Sequence, residues 1–251
     1  MNKHDNKKPK TRWHRLLGAL LEQVLSPVGV SVQCDVPIMS NPPEADILLL
    51  RRETRQWTEE QRLRLPDGVR DSTASHILLE FKYTESMNES ALIQTLAYDF
   101  FYKRAQHLSA KNVQSYLLSA KTPKATTLQQ FGYKATQYAG VYHSTMPTLS
   151  YIQLIILNEL SNEVHNAWIK CFASRLPEKK KAFNQLQTSG LKLATIKVEQ
   201  FLTGLWELWF AEQEKRMRDL EITPEQVMRW GKVMGKTYLS LLPLDERLAP
   251  S

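Results

Sequence analysis

The run "HILLEFKYT", residues 76–84, constrains the fold of this chain more than any other stretch. Ile77, Leu78 and Leu79 suit a strand built for burial. Glu80 and Lys82 then follow two residues apart, where a core favours apolar groups. Side chains at i and i+2 of a strand project from the same face. Glu80 and Lys82 therefore point together, with Phe81 and Tyr83 on the other side.

The surrounding pattern is mixed α and β. A helix is expected from about Thr11, with Trp13, Leu16, Leu17, Leu20, Leu21 and Val24 at helical spacing, ended by "SPVG". Strands are expected at 30–38 and 45–52, separated by the turn "SNPPE". A polar excursion with a "PDG" turn signal leads to the strand 76–84. The segment 85–108 reads as a helix capped near Asn88 or Ser90. A fourth strand is expected at 113–120 and a short helix near 125–131, followed by strand-like runs "YAGVYHS" and "YIQLIIL". From Ser161 the chain turns to long polar helix-forming segments. The expected organisation is an α/β core over 1–158 and a helical extension over 159–251.

Composition narrows the function classes. The chain has 251 residues, 42% of them hydrophobic, enough for a real core. No window approaches the roughly 20 uninterrupted apolar residues of a membrane span, so no membrane partner is expected. The basic start "MNKHDNKKPK" has no apolar run behind it and reads as a tail rather than a secretory signal. Two cysteines, Cys34 and Cys171, and six scattered histidines give no zinc spacing, and the cytoplasm is the expected setting. A formal net charge of +7 points to a polyanionic partner where the cations cluster.

Asp46 opens the strand before Glu80. If those strands pair antiparallel, the start of one lies beside the end of the other, and Asp46, Glu80 and Lys82 converge at one edge of the sheet. Two carboxylates suit a hard cation such as magnesium, which also takes phosphate oxygens. Such an ion lowers the pKa of its water and stabilises charge in an in-line phosphoryl displacement. A neighbouring ammonium can orient the attacking water. The bland alternative is a strand-end ion pair.

These residues resemble the PD-(D/E)xK nuclease superfamily. The matching motifs are "PPEAD" ending in Asp46, "EFK" from Glu80 to Lys82, and "QTLAY" from Gln94 to Tyr98. The last is similar to the Q-x-x-x-Y element of the RecB-type branch. Gln94 and Tyr98, spaced i, i+4, share a helix face. The α-β-β-β-α-β order over about 11–145 is that of the superfamily core. The helical second half and its "LPLDERLAP" ending resemble bacterial Rpn and transposase-associated nuclease-like proteins of cyanobacterial type. The resemblance implies a restriction-endonuclease-like core, with a mixed central sheet flanked by helices. It also implies a magnesium- or manganese-dependent nuclease acting on DNA. Asp46 and Glu80 would be metal ligands and Lys82 would assist the nucleophile. Gln94 and Tyr98 would support the site or touch the nucleic acid, and the helical half would dock DNA, form a homodimer or both. An acid on the first helix often completes such sites. Glu22 is the acid there, although the apolar stripe leaves it on nearly the opposite side. The alternative is a nuclease fold without turnover, serving as a nucleic-acid-binding or recombination accessory module.

Other signals read more plainly. "GKVMGKT" sits in a helical pattern and lacks the spacing of a phosphate-binding loop. "WELWF" reads as core or an inter-helix contact, and "EKKK" at 178–181 as a solvated face. His76 shares the face of Glu80 as a strand-start residue. Lys121 lies at one of the two sheet edges, and strand direction decides which.

Overall fold

The computed structural model describes residues 11–36, 47–51, 56–190, 194–210 and 221–241. The N-terminal ten residues, the "SNPPE" turn with Asp46 behind it, and the "LPLDERLAP" ending lie outside the described residues.

Seven strands among the described residues form one mixed sheet. They are β1 (Ser31–Cys34), β2 (Ile47–Arg51), β3 (His76–Lys82), β4 (Val113–Ser119), β5 (Tyr133–Ala135), β6 (Val141–Ser144) and β7 (Ile152–Ile156). Their order across the sheet is β1-β2-β3-β4-β7-β6-β5. The three strands β3, β4 and β7 run parallel at the centre, and antiparallel pairs continue the sheet on both sides. Parallel neighbours need a long crossover. Between β3 and β4 that crossover is α3 (Glu89–Ala105).

Period-two alternation sends the side chains of β3 to two separate cores. Ile77, Leu79 and Phe81 join Tyr116 and Leu118 of β4 on one face. That face is covered by Leu16, Leu17, Leu20 and Leu21 of α1 (Trp13–Leu25). The C-terminal helices α5 (Val164–Lys170), α6 (Leu176–Thr188), α7 (Ile196–Phe210) and α8 (Pro224–Leu241) pack into the same core through Trp168, Phe183, Phe201 and Val227. On the other face α3 packs Ala91 and Leu92 over Leu117, Leu154 and Ile156, and Tyr102 over Leu78 and Val113. Glu80 and Lys82 lie on this second face.

α3 starts where its cap dictates. The Asn88 side chain accepts a bond from the Ala91 amide at 2.8 Å, satisfying one of the free first-turn donors. Glu89 in the first turn and Lys103 and Arg104 in the last complement the helix dipole. α7 and α8 cross at Gly204 and Gly231, so "GKVMGKT" is helical and its first glycine serves close packing.

Two elements escaped the sequence reading. The short helix α2 (Glu59–Arg62) stands inside the polar excursion, opened by a Thr58–Gln61 capping box. β5 is three residues long, too short to display a period, and exists through its ladder with β6. The short helix expected near 125–131 is α4 (Ala125–Gln130).

Candidate functional site

The antiparallel pairing of β2 and β3 sets Ile47 opposite Glu80. Asp46, the residue before Ile47 in the sequence, lies outside the described residues. Glu80 sits near the carboxyl end of β3 and is only 1% exposed. Lys82, on the same face, brings its Nζ to 2.7 Å from Glu80 Oε1. The same ammonium donates to Gln94 Oε1 at 3.0 Å. An ammonium only donates, so this bond fixes the amide orientation and leaves Gln94 Nε2 to donate onward. It does so to the Tyr98 hydroxyl at 2.6 Å.

Glu80, Lys82, Gln94 and Tyr98 thus form one connected polar chain between β3 and α3. The i, i+2 rule of the strand and the i, i+4 rule of the helix supply two pairs, and packing of α3 on β3 joins them. Apolar groups bound the chain on both sides, with Leu117 beside Glu80 in the β4 register and Leu78 two residues back on β3.

Glu22 is not brought to this chain. It is exposed, on a helix that packs against the opposite sheet face. The start of that helix is the part near the end of β3, where Trp13 stacks on Tyr83. Glu22 lies nine residues on, about 13 Å of helix rise. His76 shares the face of Glu80 but pairs through Nδ1 with the Tyr102 hydroxyl at 2.8 Å. Burial, with the charge of Arg51 added, pushes its pKa below 6.5.

Strand direction answers the question of Lys121. β4 is parallel to β3, with Ser119 beside Lys82. Lys121 therefore follows at the same edge as Lys82, where its Nζ donates to the Thr84 carbonyl at 2.6 Å.

No protein-family model, curated protein or solved structure matches the chain. The site is accordingly read from its own chemistry.

The described donors that a metal could use here are hard oxygens, the Glu80 carboxylate and the Gln94 amide carbonyl. This donor type fits magnesium or manganese, which take carboxylate together with water and phosphate oxygen. Among the described residues no group of three or more His, Cys, Asp or Glu side chains is gathered for metal binding. Neither cysteine is poised for chemistry. Burial foremost, then the nearby charges of Asp35 and Glu22, pushes the Cys34 thiol up to about 11, and Cys171 is fully buried and raised further.

One feature of this edge was missed in the sequence. Tyr83 leaves β3 on the face opposite Lys82 and packs against both Trp13 and Trp209, with ring centroids at 4.0 and 5.5 Å, while the two indoles lie 5.2 Å from each other. Lys179 sits over the Trp209 ring at 3.4 Å and donates to the Tyr83 hydroxyl at 2.9 Å. The expectation of a solvated "EKKK" face fails at Lys179, which is buried. Aromatic faces and a hydroxyl compensate the desolvated ammonium. Glu178 of the same run binds Lys170 at 2.8 Å and Lys181 at 2.7 Å. Burial pushes its carboxyl up, but those two lysines hold it below the usual range. The signal was present in the odd-numbered face of β3, which carries Tyr83 toward the helical half.

A cavity of about 600 Å³ lies elsewhere, lined by Asp71, Lys111, Gln114 and Tyr138. It borders Val113 and Gln114, at the amino end of β4, whereas the Lys82 chain lies at the carboxyl end.

Proposed function

We propose that the protein is a metal-dependent nuclease of the PD-(D/E)xK type that hydrolyses DNA phosphodiester bonds on a restriction-endonuclease-like core. The observation that carries this reading is the Glu80–Lys82–Gln94–Tyr98 chain, in which the strand motif meets the motif of the helix that follows it. Glu80, with Asp46, would hold magnesium or manganese, which when bound supplies a Lewis acid and an activated water. Lys82 is held in place by Gln94, and Gln94 by Tyr98. A fixed ammonium of this kind can orient a water or bind the phosphate oxygen that gains charge. Lys121 at the same edge adds a cation for the DNA backbone, and the net charge of +7 favours salt-sensitive phosphate binding. A homodimer completes the reading.

The test is cleavage of plasmid and linear DNA with magnesium or manganese by wild type, Asp46→Asn, Glu80→Gln and Lys82→Met. The expected result is metal-dependent cleavage that falls at least about a hundredfold in each variant, as for loss of a transition-state electrostatic contact. Circular dichroism checks that each variant folds. Cleavage undiminished in Glu80→Gln and Lys82→Met refutes the assignment.

The burial of Glu80 beneath Lys82 favours a second reading. A carboxylate with so little exposure, paired at 2.7 Å, also suits a nuclease fold that binds nucleic acid without turnover. DNA binding by the wild type, with no cleavage under either metal, selects it.

A further inference from the structure

α3 presents two faces of unlike origin. Ala91, Leu92, Thr95, Asp99 and Tyr102 are buried against the sheet, as a helix on a sheet should be. The outward face is apolar as well. Ile93 is 60% exposed, Phe100 57% and Phe101 39%. An exposed stripe of large apolar side chains on a central helix marks an interaction surface.

Ile93, Phe101, Ser90 and Arg104 have an internal symmetry, which Phe100, whose mirror position is Gln94, does not share. At about 100° per residue, and measured from Ala97, Ile93 lies near −40° and Phe101 near +40°. Arg104 lies near −20° and Ser90 near +20°. Two antiparallel copies of α3 related by a two-fold axis at Ala97 place each position beside its mirror about that residue. Ile93 then meets Phe101 of the second copy, and Ser90 meets Arg104. Glu89, next to Ser90 and exposed, is within reach of that guanidinium. The small Ala97 at the axis lets the two helices approach. Such self-complementarity is what a two-fold interface requires. A DNA duplex fits this face poorly, because it offers no cation between Ile93 and Phe101. Lys103, the nearest lysine on α3, is committed to Asp99 at 2.6 Å.

We propose that the outward face of α3 is a homodimer interface, formed by antiparallel pairing about Ala97 with Glu89–Arg104 ion pairs at its two ends. The inference rests on the homodimer of the reading above and not on its chemistry. Its test reads mass rather than cleavage, so either can fail alone. α3 spans about 25 Å, so the buried area falls at the low end of specific interfaces and a micromolar dissociation constant is expected.

Sedimentation velocity from about 1 to 200 µM brackets that range. The expected result is a monomer–dimer equilibrium, abolished by Ala97→Glu, which sets two carboxylates on the axis. Glu89→Arg and Arg104→Glu each weaken the dimer about tenfold or more, and combining them restores it. Circular dichroism and melting verify the fold of each variant. If Ala97→Glu does not fold, the two exposed charge variants and their combination decide the matter. A wild type that stays monomeric at 200 µM overturns the proposal. So does a dimer that survives folded Ala97→Glu, or a charge exchange that fails to restore association.

Discussion

Replacing Gly231 with alanine tests how closely α7 and α8 pack. A Cβ at Gly231 would lie 1.7 Å from the Gln200 carbonyl oxygen, and one at Gly204 would lie 1.9 Å from the Val227 oxygen. Ordinary carbon–oxygen contact is about 3.3 Å, so the helices would have to part by roughly 1.6 Å. A gap of even 0.5–1 Å forfeits about a quarter to a half of the dispersion attraction across it. Phe201, Leu205 and Val227 are all buried in the core these helices share. Each contributes about 2 kcal/mol through burial. Losing about half from each costs about 3 kcal/mol. Alanine returns about 1 kcal/mol through helix propensity. The net expectation is about 2 kcal/mol of destabilisation for Gly231→Ala, and a similar value for Gly204→Ala. One separation relieves both clashes, because the added Cβ at Gly231 also comes within 3.1 Å of the Gly204 amide nitrogen. The double variant suffers that packing loss of about 3 kcal/mol once and gains about 1 kcal/mol of propensity at each site, so it should lose about 1 kcal/mol rather than 4, a coupling of about 3 kcal/mol. Urea denaturation of the four proteins, compared at equal m-values, measures this. A neutral or stabilising Gly231→Ala, as propensity alone predicts, refutes the close approach.

Two predictions concern pH. His76 has a folded pKa below 6.5, so in the window between the two values the unfolded chain binds more protons. Stability should rise as pH climbs from the folded value to 6.5 and level off above it, and this rise should be missing from the urea profile of His76→Gln; identical profiles would rule the idea out. Asp67 is buried, which pushes its carboxyl up, but hydrogen bonds from His165 and Asn166, with the charges of His165 and Arg70, hold it below 3.8. Its contribution is present above 3.8 and is lost as pH falls through the lower folded value. Asp67→Asn should thus cost about 2 kcal/mol at neutral pH, with the difference from wild type shrinking in acid. A constant difference down to pH 2 would contradict this.

The candidate site was legible to unequal depths. Glu80 and Lys82 announce themselves because a strand that otherwise reads as core carries two charges on one face. Gln94 and Tyr98 follow from helical spacing, and the cap at Asn88 places them along α3. The direction of β4 was not legible, since local sequence does not choose between parallel and antiparallel neighbours. Lys121 therefore stayed unassigned until the register set Ser119 beside Lys82. The buried Lys179 was illegible for a related reason. A lysine among lysines looks solvated until the aromatic rings of Tyr83 and Trp209 close on it.

By itself the sequence determined the local elements other than α2 and β5 and the periodicity of each apolar face, because those depend on neighbours within a few residues. It also determined which polar side chains share a face of β3 and of α3. That α3 leaves directly from β3 already brings these two faces near each other; only the tertiary structure decided that Lys82 bridges Glu80 to Gln94 and that α1 with its Glu22 lies across the sheet from them. Such choices rest on long-range packing, where burying one apolar face against another outweighs any preference encoded in a short window.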